Sequence, residues 1–151
     1  MTLNQKILTS FFILKHKMYV LWYILKTCKA LIIRGLKHDL SKFSKEEFEY
    51  VYRLSTIKTI FGSKEYYKLV DSVQSAKLAH SKRNFHHPEY YGSIYKMSII
   101  DLCELLCDWA AATKRNNGNL IGSLRINKKK YKINRNLENI LLRDMKEIGL
   151  I

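Results

Sequence analysis

A single proline, Pro88, and six glycines in 151 residues leave this chain few places to break a helix. Apolar residues recur at spacings of three and four in "EFEYVYRL", "SIIDLCELLCDWAAATKR" and "LENILLRDMKEIGL", the period of a helix with one buried face. No segment alternates with period two over several strands, and neither an internal repeat nor a linker is visible. The pattern predicts one all-α domain over residues 1–151, a single-domain helical bundle. With 47% apolar residues it can bury a core unaided.

Local signals place the elements. A first helix runs from about residue 4 to about 33, with Gly35 as its C-terminal cap. A short helix holds "LKHDLSK". Ser44 and Glu47 form a capping box that opens the helix through "EFEYVYRL". Ser63 caps "KEYYKLVDSVQSAKLAHSKR", which ends in a loop containing Pro88. Ser98, with Asp101 three residues on, opens the next helix. "NNGNLIGSLRINKKKYKIN" reads as a basic irregular stretch with a turn or hairpin. A last amphipathic helix then carries Ile140, Leu141, Met145 and Ile148. The motif-bearing core is about 11–115, and the basic loop and C-terminal helix occupy 116–151.

The N-terminal run "FFILKHKMYVLWYILKTCKALII" is interrupted by Lys15, His16, Lys17, Lys26 and Lys29, so it lacks the roughly 18 uninterrupted apolar residues of a membrane span. It also lacks a small-residue cleavage site. A buried helix of a soluble protein is expected, with no membrane partner. Cys28, Cys103 and Cys107 follow no disulfide spacing, which predicts small core residues in a reducing, cytoplasmic setting. Trp22 and Trp109 are assigned to the core.

The formal charge of +14 favours acidic partners: phosphorylated small molecules, nucleotides, or nucleic acid on the basic surface. "RINKKKYKINR", residues 125–135, is either a solvated loop or a phosphate-binding patch in which Tyr131 stacks on a base. Tyr90 and Tyr91 are either packing residues or a cover for a nucleobase.

The five histidines are unevenly placed. Three lie in "HSKRNFHHPEYY" (His80, His86, His87), one precedes an aspartate in "KHDLSKFSKEEF" (His38-Asp39), and His16 is on the first helix. Imidazole nitrogen suits divalent transition metals, and a carboxylate binds one ion or bridges two. Neighbours on a helix diverge by about 100 degrees, so His38 and Asp39 reach one ion only near a helix end or through a bridging carboxylate. Asp101, Glu104 and Asp108 form an acidic stripe on an apolar helix. Buried carboxylates need a counter-charge or a metal, and salt bridges to the many Lys and Arg are the plainer alternative. His87, before Pro88, is biased to an extended backbone.

The ordered set His16, His38-Asp39 and a later Asp resembles the HD-domain superfamily of metal-dependent phosphohydrolases. "HDLSK" is similar to the His-Asp-x-x-Lys form of its dinuclear members and of the related di-iron inositol oxygenase. "HDLSKFSKEEF", "AHSKRNFHHPEYY" and "ELLCDWAAA" together look like a small HD-like family without an assigned activity. The resemblance implies a helical bundle of the HD-domain type, with His16, His38, Asp39 and Asp108 holding a first metal. Asp101 competes with Asp108 for the distal role. His80 and either His86 or His87 would add a second ion bridged by Asp39. Dinuclear relatives carry those two histidines much further apart, so His86 or His87 could instead touch substrate or donate a proton.

The implied activity is hydrolysis of a phosphomonoester or phosphodiester, in a nucleotide, cyclic nucleotide or nucleic acid, by metal-activated water. It would use one or two divalent ions (Mn, Fe, Co, Ni or Zn). Lys42, Lys82 and Arg83 are candidates for substrate phosphate, with Lys42, Glu104 and His87 as candidate catalytic groups. Glu104 would orient a histidine ligand or act as a base. The competing readings are a di-iron oxygenase and a non-catalytic, basic nucleic-acid-binding protein with a structural metal.

Overall fold

The computed structural model describes residues 1–56, 64–115 and 117–151, without the side chains of Tyr66 and Tyr67. Every described element is an α-helix or a 3-10 turn, and no strand occurs among the described residues. The protein is all-α. The Ser63 cap lies outside the described residues. The chain divides into two compact units, Met1–Lys37 and His38–Ile151.

The first unit is one helix, α1 (Leu3–Lys37, 35 residues). Its start is a reciprocal cap: Thr2 N–H donates to Gln5 Oε1 at 2.7 Å and Gln5 N–H to Thr2 Oγ1 at 3.3 Å. It runs through Gly35, which is therefore no cap. The helical path stops at Asp39, whose left-handed φ of 56° no helix interior accepts. The expectation of a buried helix is not met. No residue of α1 is buried, Trp22 is 56% exposed and Cys28 is exposed. No described helix is long and apolar enough to cross a membrane.

The second unit begins with a 3-10 turn, Leu40–Phe43, and continues with α2 (Lys45–Thr56), α3 (Lys64–Arg83) and the one-turn α4 (Pro88–Tyr91). A second 3-10 turn, Ile94–Lys96, leads into α5 (Ile99–Arg115), α6 (Leu120–Tyr131) and α7 (Arg135–Glu147). Its apolar core joins Leu105, Leu106 and Trp109 of α5 to Leu120 and Leu124 of α6 and Leu141 and Met145 of α7. Ile94, Met97 and Ile133 close it. Trp109 takes the expected core position, while Cys107 is exposed and Cys103 half-buried.

The basic stretch after α5 is a helix rather than a loop or hairpin. Its glycines and asparagines speak against helix by propensity alone. Asn119 overrides this at the start, accepting from Gly122 N–H at 3.0 Å. Leu120 and Leu124, four apart, then bury one face, and Lys129 and Lys130 stay exposed. Asn134 caps α7 in the same way, accepting from Leu137 N–H at 2.9 Å. On α7, Leu141 and Met145 face inward while Ile140, and Ile148 just past the helix end, do not.

Candidate metal centre

The His38-Asp39 pair sits at a joint between helices rather than within one. The left-handed backbone at Asp39 is a conformation that costs about 1 kcal/mol or more for a non-glycine residue. It turns the carboxylate inward, so that its two oxygens address different partners. Oδ1 stands 3.1 Å from His80 Nε2 and 3.3 Å from His86 Nε2. Oδ2 stands 3.3 Å from His38 Nε2 and pairs with Lys42 Nζ. His38 Nε2 in turn lies 3.6 Å from Asp108 Oδ1 on α5.

The three clustered histidines arrive by two routes. His80 ends the buried side of α3. After α3 the chain folds back, with His87 N–H donating to Asn84 O at 3.1 Å. His87 is extended (φ −107°, ψ 132°) ahead of Pro88, which occupies the first turn of α4. The backbone bias of the pre-proline position thus swings His86 and His87 back over His80. Ring centroids of His86 and His87 are 4.1 Å apart, and those of His80 and His87 5.1 Å. Closeness in sequence, which set this pair apart from dinuclear HD proteins, is no obstacle to convergence when a tight turn follows the helix.

Two groups of donors result, sharing Asp39. One is Asp39, His80, His86 and His87; the other is His38, Asp39 and Asp108. In the first, Asp39 Oδ1 and Nε2 of all three histidines are buried without a hydrogen-bond partner among the described residues. Buried polar atoms left unpaired each cost about 1–3 kcal/mol, and four converging on one point are unexpected unless something fills it. For ligand distances of about 2.0–2.1 Å, neighbouring donors of a tetrahedral ion stand about 3.3 Å apart. The separations from Asp39 Oδ1 to His80 and His86 match that edge. The donor set fits a divalent transition metal.

Behind the rings stand two carboxylates. Glu104, buried on α5, has Oε1 2.8 Å from His38 Nδ1 and 3.4 Å from His86 Nδ1. Glu47, buried on α2, has Oε2 2.7 Å from His80 Nδ1. Glu104 also forms a third possible donor group with His38 and His86. Because both carboxylates contact Nδ1 while Nε2 faces Asp39, they stand behind the two groups that share Asp39 and orient them. Of the acidic stripe on α5, Asp101 is engaged elsewhere. It accepts from Ser98 N–H at 2.9 Å, Ser98 Oγ at 2.7 Å and Tyr91 Oη at 2.8 Å. Asp108 is the stripe's member beside His38.

The electrostatics follow from this packing. Hydrogen bonds to Asp108 and Asp39 push the His38 imidazole up to about 10 against the cost of burial. Burial, with His86 and His80 alongside, pushes His87 down to about 4. Burial would raise Asp39, yet the His38, His80, His86 and Lys42 side chains beside its carboxylate hold it well below the carboxylate range. Burial opposes and the His38 hydrogen bond prevails at Asp108, which is lowered as well.

His16 is an exposed residue of α1, in the first unit. In the second unit, other candidates fall outside this constellation. Lys82 and Arg83 are exposed in the last turn of α3. Tyr91 is spent on Asp101, and Tyr90 packs edge-on against Phe85 at 4.6 Å. Tyr131 lies parallel to Trp109 at 6.3 Å and bonds Glu89 through its hydroxyl at 3.1 Å, which occupies the ring proposed for base stacking. Glu47 is what sequence reasoning missed: its spacing from Ser44 is that of a capping box, and nothing local betrays a partner 33 residues away.

A family model described as a family of unknown function (DUF5662) matches residues 8–148. That is nearly the whole chain, which therefore belongs to this family. No curated protein and no solved structure matches it.

Proposed function

We propose that this protein is a metal-dependent phosphohydrolase of the HD-domain type, acting on a phosphomonoester or phosphodiester of a nucleotide, cyclic nucleotide or nucleic acid. The observation that carries the reading is the division of Asp39 between two donor groups, with four buried, unpaired atoms on one side of it. Asp39, His80, His86 and His87 would hold one divalent ion, and His38, Asp39 and Asp108 a second. Such ions supply Lewis acidity toward a phosphoryl oxygen and lower the pKa of a water they bind.

The chain's own groups have defined parts. Asp39 ties the two donor groups together through opposite oxygens. Glu104 bonds His38 Nδ1 and stands 3.4 Å from His86 Nδ1, so the Nε2 atoms of both rings face Asp39. Lys42, half-buried on Asp39, is a cation beside the shared carboxylate that could meet a phosphate oxygen. The positive surface draws a phosphorylated substrate in, in keeping with the formal charge of +14. The likeness of "HDLSK" to dinuclear HD proteins supports the same chemistry.

The test is metal content by inductively coupled plasma mass spectrometry after loading with Mn, Fe, Co, Ni or Zn, in wild type, His38→Ala and Asp39→Ala. Wild type should retain two equivalents, and Asp39→Ala should lose both with helicity intact. Phosphatase and phosphodiesterase turnover should fall by about 100-fold or more, as on removal of a direct ligand. Uptake of no metal by wild type under any loading would sink the reading. Metal retained without turnover on any phosphate ester would favour a structural ion.

A further inference from the structure

The Ser44-x-x-Glu47 sequence is a capping box in pattern only. Ser44 performs its half, its Oγ accepting from Glu47 N–H at 3.3 Å. In a complete box the glutamate would return to Ser44 N–H, but that group donates instead to Ser41 O at 2.9 Å, closing the 3-10 turn. The contrast with α5 is direct: there Ser98 N–H does donate to the acid three residues on, Asp101, at 2.9 Å. The Glu47 carboxylate is thereby released from the helix end and buried, with 4% of its surface exposed.

What it meets there is His80. Glu47 Oε2 lies 2.7 Å from His80 Nδ1 and accepts from Ser41 Oγ at 2.9 Å. A carboxylate accepts only, so Nδ1 carries the ring proton and Nε2 presents its lone pair. That lone pair is one of the four buried unpaired atoms, 3.1 Å from Asp39 Oδ1. Asn84 holds the same residue from its other end, its Nδ2 donating to His80 O at 2.8 Å. A buried carboxylate is expensive unless its charge is answered, and a cation beyond the ring answers it through the imidazole.

We infer that Glu47 is a positioning residue for one metal of the pair, fixing the tautomer and tilt of His80 and so governing occupancy of the Asp39–His80–His86–His87 group alone. The inference rests on the metal-centre reading above. Glu104 differs from it in kind, since it touches one histidine of each group.

The experiment is a cobalt(II) titration of the full chain, following d–d absorption and equivalents bound, in wild type, Glu47→Ala, Glu47→Gln and Ser44→Ala. Loss of a carboxylate behind a histidine ligand should weaken one of two sites by about 10–100-fold. Glu47→Ala should therefore bind one cobalt as wild type does and the other weakly, with an altered spectrum. Glu47→Gln, which still offers an acceptor, should lie between. Ser44→Ala removes the cap and should lower thermal stability while keeping both affinities. Unchanged cobalt affinities and spectrum in Glu47→Ala would overturn the inference, as would equal weakening of both sites. Absence of cobalt uptake by wild type is the separate result that overturns the metal reading and this inference with it.

Discussion

Helix α5 divides two regions held together by different physics. One side sends Leu105, Leu106 and Trp109 into the apolar core with α6 and α7; the other sends Glu104 and Asp108 toward the histidines. The apolar side is non-directional: burial stabilises it in proportion to area, and small shifts are tolerated. The polar side depends on hydrogen bonds of fixed direction, a left-handed aspartate and atoms that remain unpaired without a cation. A fold of this size thus has one region that stabilises it and another that is itself costly to assemble. Such costly polar clusters are where function is expected.

Substitutions on either side of α5 should separate the two. Leu141 is 1% exposed in the core, so Leu141→Ala should cost about 2–5 kcal/mol in urea unfolding. The same variant should still bind metal with unchanged stoichiometry. Loss of metal in step with stability would show that the two regions are one cooperative unit. The next largest effect is expected at Glu104, which contacts both His38 and His86. Glu104→Gln should weaken both ions by about 10–100-fold with only a small change in helicity, read by competitive chelator titration. Weakening of a single ion would show that Glu104 serves one group only.

The smallest effect is a pH signature of the metal-free chain. His38 is raised to about 10 when folded; its contribution is complete below about 6.5, the unfolded value, and is lost as pH rises toward 10. His87 is lowered to about 4; its contribution is complete above about 6.5 and is lost as pH falls toward 4. Asp39 and Asp108, both lowered, add to the loss in acid. Urea midpoints in chelator should therefore peak near neutrality and fall on both sides. A flat profile between pH 4 and 10 would mean that the polar cluster contributes nothing to folding.

Much of this architecture was legible in the residues. The helical periods, the Ser98–Asp101 box and the extended pre-proline His87 are local, and local sterics and capping decide them. His38-Asp39 was legible as a pair needing a helix end, and it has one. Other readings failed where a distant partner outweighed a local preference. Asn-rich α6 is a helix because Leu120 and Leu124 have a core to enter. Glu47 abandons the box its spacing suggests for a histidine on another helix.

By itself, then, the sequence determined an all-α chain, the Ser98–Asp101 cap, a strongly basic composition and a short roster of groups able to hold metal. These depend on residues a few positions apart, whose geometry the backbone dictates. Tertiary structure alone decided that Asp39 faces two ways, that Asp108 rather than Asp101 stands beside His38, and that Glu47 and Glu104 back the rings. Those choices depend on which helices meet, and a contact across 33 or 66 residues leaves no periodic trace along the chain.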